Sequence, residues 1–258
     1  MRVPVSVVIP TLNEADRLDA CLRSVAWAAE LLVVDGGSTD GTVALARDAG
    51  ARVIEGRWET IAEQRNAGIE AACQPWVLAL DADEQVDSTL ASSIADAVAA
   101  PLHDGYRVRY RNWYLGAPLD RGHWAREVHL RLFRAGFRYR VQRVHEGLDY
   151  QGSSGVLQGV VLHDSYRNLA HQLHKVQRYG EWGAADLSRR GRGVTWYDLV
   201  VRPAWRFVQH YCFQGMWREG VRGFVVSAVH AWSGFVKYAV LWDLRRQASD
   251  RMPPYPRA

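Results

Sequence analysis

Trp76-Val77-Leu78-Ala79-Leu80-Asp81-Ala82-Asp83-Glu84 is an apolar run that stops abruptly at a cluster of carboxylates. Val77–Leu80 reads as a buried strand, and ligands of open α/β sheets gather beyond the carboxyl ends of their strands. Acids at such a mouth are well situated to hold a metal-bound phosphate. Asp81 and Asp83 share a side of any extended continuation, because side chains two residues apart in a strand share a face. A hard divalent cation such as Mg²⁺ or Mn²⁺ prefers oxygen ligands, and usually takes one or two carboxylates plus phosphate and water. Asp-x-Asp alone also fits a solvated turn in which one acid caps the next helix, so the neighbouring motifs decide.

Working outward, Val5–Ile9 is a β-branched strand ended by Pro10, and Thr11-Leu12-Asn13-Glu14 opens a helical pattern through Leu18, Leu22 and Val25. Leu31–Val34 is a second strand that runs into Asp35-Gly36-Gly37-Ser38-Thr39-Asp40-Gly41-Thr42. The glycines there permit a tight turn, and Ser38, Thr39 and Asp40 are suited to cap the helix Thr42–Asp48. Arg52–Ile54 reads as a third strand and Thr60–Ala72 as a helix. Strands alternating with helices over this length imply a parallel sheet covered on both faces.

At 258 residues and 48% hydrophobic content the chain is globular in composition. Met1 leads almost directly into Val5–Ile9, so no signal peptide is expected. Cys21, Cys73 and Cys212 are odd in number and lack metal-ligand spacing, which fits a reducing cytoplasm. The net charge of +4 divides unevenly: 7 Lys+Arg face 17 Asp+Glu through Asp104, and 25 face 11 from Gly105 onward. All but two of the later cations are arginine, whose planar fork binds phosphate and stacks on aromatic rings. The basic half therefore suggests a phosphorylated acceptor, an anionic membrane surface, or both. No zinc-finger spacing, RNA-binding signature or basic zipper accompanies it, so nucleic acid is not expected as a partner. Neither Gly-x-x-x-x-Gly-Lys nor a Gly-x-Gly-x-x-Gly after the first strand occurs, which removes most support for ATP hydrolysis and dinucleotide redox chemistry.

Four motifs in order, Ser6–Glu14, Val33–Thr42, Gln64-Arg65-Asn66-Ala67-Gly68 and Leu80–Glu84, resemble the family 2 glycosyltransferases of the GT-A fold. Looser features, Val144-His145-Glu146, His163 and a basic aromatic tail, resemble the WaaE-like glucosyltransferases that build lipopolysaccharide core. The resemblance implies a GT-A, Rossmann-like, mostly parallel sheet with helices on both faces, plus a C-terminal amphipathic helical extension. It implies an inverting, metal-dependent, non-processive transfer of a sugar, glucose by preference, from a UDP-sugar to a phosphorylated glycolipid. Asp35 would accept the uracil imide N–H, Arg65 would meet the base or diphosphate, and Pro10, Thr11 and Glu14 would shape the nucleotide pocket. Asp81 would hold the ribose or the metal through water, Asp83 would ligate Mn²⁺ or Mg²⁺, and His163 would add an imidazole ligand or touch the diphosphate. Glu146 is the expected catalytic base, with Asp149 and Asp120 as rivals.

Residues 1–104 are expected to bind the nucleotide sugar, 105–190 to bind the acceptor, and 191–258 to form the basic aromatic extension. Tyr106–Arg111 and Val128–Arg134 alternate like strands. The tail's longest stretch free of Asp, Glu, Lys and Arg is Gly223–Val236, 14 residues, too short to span a bilayer core of about 30 Å as a helix. Interfacial helices on the inner face of the cytoplasmic membrane are one expectation. Packing back on the domain, or a homodimer contact, is the other. A nucleotidyltransferase on a related fold and a non-catalytic GT-A scaffold are the competing functions; the first lacks its glycine-rich basic loop after strand one.

Overall fold

The computed structural model describes residues 2–141 and 147–249. In chain order the strands are β1 (Val3–Thr11), β2 (Ala28–Asp35), β3 (Arg52–Glu55), β4 (Trp76–Ala79), β5 (Glu84–Val86), β6 (Gly105–Tyr114), β7 (Ala117–Pro118), β8 (Val128–Arg134), β9 (Arg138–Tyr139), β10 (Leu148–Asp149) and β11 (Ser154–Asp164). The α-helices are α1 (Ala15–Ser24), α2 (Thr42–Asp48), α3 (Ile61–Ala71), α4 (Ser88–Ala99), α5 (Leu169–Arg189), α6 (Arg202–Val208) and α7 (Gly220–Ser249). The chain divides into two compact units, Met1–Trp113 with Trp124–Ser165, and Tyr114–His123 with Tyr166–Ala258. The stretch 105–190, read from sequence as one acceptor-binding segment, is therefore shared: β6, β8 and β11 serve the first unit and α5 the second.

In the first unit the main sheet runs β3-β2-β1-β4-β8-β6-β11-β5. β3, β2, β1 and β4 are mutually parallel, whereas β8 lies antiparallel between β4 and β6. The expected GT-A-like architecture is what the chain forms, with a mixed second half. Alternation along the strands divides the core: Val5, Val7 and Ile9 pack with Leu18, Leu22 and Ile94 on one face, while Val8, Leu32 and Val34 pack with Ala62 and Ile69 on the other. Pro10 continues β1 beyond its expected end, opposite Val34. It lies past the last β1–β4 pair at Val8–Ala79, so no hydrogen bond of that ladder needs its missing N–H.

α3 begins with a reciprocal cap, in which the Thr60 hydroxyl accepts from Glu63 N and the Glu63 carboxylate accepts from Thr60 N. Gly68 then lets this helix lie close to the sheet, since a Cβ there would come within 2.4 Å of Val8 Cγ1 and 2.7 Å of Val34 Cγ2. That approach carries Gln64 and Arg65 to the strand mouths.

In the second unit a continuous helix runs Trp196–Phe213, made of π segments Tyr197–Val201 and Gln209–Phe213 flanking α6. α7 follows, and within this unit it packs against α5, where a Cβ at Gly180 would meet Val236 Cγ1 at 2.7 Å. The expectation that no tail helix has the length to span a bilayer is corrected: Met216–Ala248 is long and apolar enough by length and composition. The uninterrupted count failed because a helix with one or two charged residues in a long window can still be apolar enough on average to span.

Candidate active site

The loops after β1 and β2 interlock to form one wall of the site. Asn13, at φ 57°, donates its backbone N–H to Ser38 Oγ at 2.8 Å, and its side-chain oxygen accepts from Thr39 N at 2.9 Å. Glu14 donates its N–H to Thr42 Oγ1 at 2.9 Å, which ties the start of α1 to the start of α2. Asp35 Oδ1 accepts from the backbone of Gly37 and Ser38, and Oδ2 accepts from the hydroxyls of Thr11 and Ser38. Burial pushes the Asp35 carboxyl up, and the hydrogen bonds of Ser38, Thr11 and Gly37 outweigh it and hold it below the usual carboxylate value. Four donors occupy the acceptor positions of this carboxylate. A further N–H donor would reach Asp35 only by displacing one of them, and the Ser38 hydroxyl is itself held by Asn13 N–H.

The motif Gln64-Arg65-Asn66-Ala67-Gly68 divides its work residue by residue. Gln64 Nε2 donates to Thr11 O and Val34 O, at 3.0 and 2.6 Å, binding the ends of β1 and β2 together. Arg65 Nη2 meets Asp81 Oδ1 at 2.5 Å, and its guanidinium lies over the Tyr139 ring. Asn66 pairs with the backbone of Tyr139 through both its amide groups.

The carboxylate cluster does not continue as an extended strand. Glu84 N donates to Asp81 O at 3.0 Å and Asp81 N donates to Glu84 Oε2 at 2.9 Å, closing a tight turn. The expected common face of Asp81 and Asp83 is therefore replaced by two sets of partners. Asp81 meets Arg65 on one oxygen and Arg131 on the other, at 3.4 Å, while Arg131 also reaches Glu84 Oε1 at 2.9 Å. Burial raises the Asp81 carboxyl, but Arg65 and Arg131 together drive it well below the carboxylate range. Glu84, sealed from solvent, is pushed up by burial, against the pull of Arg131.

Asp83 turns elsewhere. Its Oδ2 meets Arg17 Nη1 at 3.2 Å, and its Oδ1 faces His163 Nε2 at 3.7 Å. Asn112 donates its amide N–H groups to Trp124 O and Glu127 Oε2, so its oxygen accepts from His163 Nδ1 at 2.9 Å. That bond keeps the proton on Nδ1, aimed at the Asn112 oxygen, and leaves Nε2 facing Asp83, with Ser165 Oγ at 3.1 Å. A hydrogen-bond acceptor on Nδ1 is the arrangement found in histidines that ligate a metal through Nε2. One carboxylate oxygen and one imidazole nitrogen suit a divalent cation. Among the described residues no group of three or more His, Cys, Asp or Glu could hold a metal, so a cation at Asp83 and His163 would need further ligands from substrate or water. The residues present thus fit a metal held jointly by protein and substrate.

A family 2 glycosyltransferase profile, Glycosyl transferase family 2, matches residues 6–158. The chain belongs to that family. Its members in the comparison include the lipopolysaccharide core biosynthesis glycosyltransferase LpsC of Rhizobium meliloti (strain 1021), 32% identical over 251 residues, covering 94% of this chain and 93% of the relative. An uncharacterized glycosyltransferase of Rickettsia prowazekii (strain Madrid E) is 26% identical across 95% of this chain and 89% of its own length. S. aureus TarS 1-349, solved in complex with UDP, shares the fold at a TM-score of 0.50 and 15% identity, covering 96% of this chain and 92% of that one. The enzyme is thus a glycosyltransferase similar to one that builds lipopolysaccharide core.

Of the residues expected from sequence, the first unit of this family 2 enzyme joins Thr11 to Asp35, Arg65 to Asp81, and Asp83 to His163. Glu146 lies outside the described residues, with Val144 and His145. Its rival Asp149 is exposed and paired with Arg140 at 2.7 Å, and Asp120 belongs to the second unit. Sequence reasoning quoted Gln64 within its motif without giving it a role, and missed Arg17, Asn112 and Arg131.

Proposed function

We propose that this enzyme transfers a hexose, glucose by preference, from a UDP-sugar to a phosphorylated glycolipid of the lipopolysaccharide core type, inverting the anomeric centre and adding one sugar per acceptor. The observation that carries the reading is the facing of Asp83 Oδ1 and His163 Nε2 at 3.7 Å beside the Arg17, Arg65 and Arg131 guanidiniums. Carboxylate, imidazole and arginine together suit a metal–diphosphate, and the identity to LpsC over nearly the whole chain supports the acceptor class. Mn²⁺ or Mg²⁺ held by Asp83 and His163 would supply charge neutralisation for the departing diphosphate.

The protein's own residues divide the remaining tasks. Pro10, Thr11 and Glu14 shape the uridine pocket. Asp35 takes the uracil imide N–H in place of one of its present donors, and Asp81, oriented by Arg65 and Arg131, receives the ribose. Glu146 accepts the proton of the acceptor hydroxyl as its oxygen bonds to the anomeric carbon and the bond from that carbon to the diphosphate breaks. The 25 cations from Gly105 onward favour an acceptor bearing phosphate. Nucleotide sugar and glycolipid meet at the cytoplasmic face of the inner membrane, where the enzyme is peripheral.

Calorimetric titration of UDP with and without Mn²⁺ tests the donor site. Asp83→Asn should lose the Mn²⁺-dependent part of UDP affinity, by roughly 10- to 100-fold, as expected on removing a ligand or its support. Unchanged Mn²⁺-dependent binding in that variant would remove the metal assignment. Transfer from UDP-glucose to lipopolysaccharide core, read by the anomeric configuration of the product, tests the reaction itself.

A further inference from the structure

The second unit carries a helix that is turned inside out. Along Trp196–Phe213 the exposed positions are 196, 197, 200, 201, 204, 205, 208, 209, 212 and 213, a repeat of four residues held for the whole length. Those positions read Trp, Tyr, Val, Val, Ala, Trp, Val, Gln, Cys and Phe, without one charged side chain. Trp196 is 81% exposed, Phe213 72% and Trp205 55%. The ionisable Asp198 and His210 of the same helix are buried instead, and Arg202 pairs with Asp198 at 2.9 Å. A soluble helix has the reverse arrangement.

The backbone is fitted to this stripe. A four-residue repeat would drift around an α-helix of 3.6 residues per turn. Two five-residue π segments, at about 4.4 residues per turn, flank the seven-residue α6 and bring the average close to four. The stripe therefore runs parallel to the axis, on one flat side, for roughly 25 Å. α7, although longer, is interior to the unit on several sides: Val226, Ser227, Tyr238 and Leu241 are buried.

Charge selects the occupant. Between Arg189 and Arg218 there are six arginines and one acid, Asp198, which is buried and ion-paired with Arg192 and Arg202. The exposed cations stand at the two ends, Arg189, Arg190 and Arg192 before the stripe and Arg218 after it. A protein partner would be matched by hydrogen-bonding groups spread through the patch, about one bond per 100–200 Å², and the stripe offers little besides Gln209 and the indole and phenol tips. Tryptophan and tyrosine on an apolar face with arginines beyond its ends match a bilayer interface.

We propose that the face formed by Trp196, Tyr197, Val201, Trp205, Val208 and Phe213 lies flat in the surface of an anionic lipid bilayer, with Arg190 and Arg218 on lipid phosphates at either end. The proposal stands on the second unit and deepens the peripheral membrane location given under the proposed function, on which it rests.

Flotation of the full chain with phosphatidylcholine vesicles, with and without phosphatidylglycerol, is the test. The intact protein should float with the anionic vesicles and be released at high salt or by alkaline carbonate. Val201→Asp and Val208→Asp should each lower the partition coefficient roughly tenfold, and together more. Arg190→Gln with Arg218→Gln should abolish the preference for anionic over neutral vesicles. Val201→Ser and Val208→Ser carry the same test should the aspartate variants fail to fold by circular dichroism.

Failure of the intact chain to float, or equal flotation of the aspartate variants, would overturn the proposal. So would retention after carbonate, which points to α7 embedded in the bilayer, or a dimer in light scattering that the aspartates dissolve while no vesicle binds. Stabilisation by UDP, measured on the same variants, should be unchanged. Its absence from every form would sink the donor reading and leave the membrane result standing.

Discussion

The two units handle burial in opposite ways. In the first, polar groups are drawn inward: Asp81, Glu84 and Arg131 lie against one another beneath the strand mouths, and every carboxylate there has a cation or backbone N–H on it. In the second, apolar groups are turned outward along Trp196–Phe213 while Asp198 and His210 go inside. Each departs from the rule of apolar core and polar surface, and each departure costs stability unless a partner offsets it. The first unit carries its partners as arginines within the fold. The second leaves its partner to the surroundings. Violations of the packing rule that are compensated internally thus mark a site that acts on small polar ligands, and uncompensated ones mark a surface that waits for something apolar.

Four outcomes would break or sharpen that contrast. The largest effect is expected at Glu146: Glu146→Gln should lower turnover about 10³-fold with UDP binding retained, and full activity would move the base role to Asp149 or Asp120. Next, Arg131→Ala leaves Glu84 buried without its cation, so chemical denaturation should register a loss of about 3 kcal/mol. Glu84→Gln added to that variant should restore part of it; strict additivity would mean that the two side chains do not compensate one another.

Gly68→Ala, which drives a methyl group against Val8 and Val34, should cost about 2 kcal/mol by the same measurement and weaken UDP binding with it, because α3 carries Arg65. Loss of stability without loss of binding would separate the helix's packing from the site. The smallest effect is pH dependence. Burial, with His123 nearby, lowers His210 to about 4, and burial, with His210 and Arg206, lowers His230 to about 4. Both are neutral in the fold and take up protons more readily when unfolded, near 6.5, so their contribution is full above that pH and is lost as pH falls toward 4. Asp35 and Asp81, held low in the first unit, lose theirs only below the ordinary carboxylate range. Melting temperature should therefore decline between pH 6.5 and 4, and His230→Gln should flatten the decline; an unaltered slope would remove the histidines from the account.

The carboxylate cluster, the loop Asp35–Thr42 and the motif Gln64–Gly68 were legible because each is local: a strand period, a turn composition, a helix start. α2 and β8 fall where their sequence patterns end, at Thr42–Asp48 and Val128–Arg134. Arg131 and Arg17 were not legible, since each meets an acid at least 47 residues away and nothing in spacing announces that meeting. The inverted face at Trp196–Phe213 was half legible. Its aromatics and arginines were plain, but an apolar pattern does not say which side of it is covered.

The amino-acid sequence alone determined that a parallel sheet would end in acids and that the later half would be basic and aromatic, because strand alternation, turn chemistry and composition act over a few neighbouring residues. Only the tertiary structure decided which arginine sits on which carboxylate, that the chain turns between Asp81 and Glu84, and which face of the tail helix stays bare. Those choices depend on which distant segments share a volume, and desolvation and charge pairing take their magnitude from that shared volume.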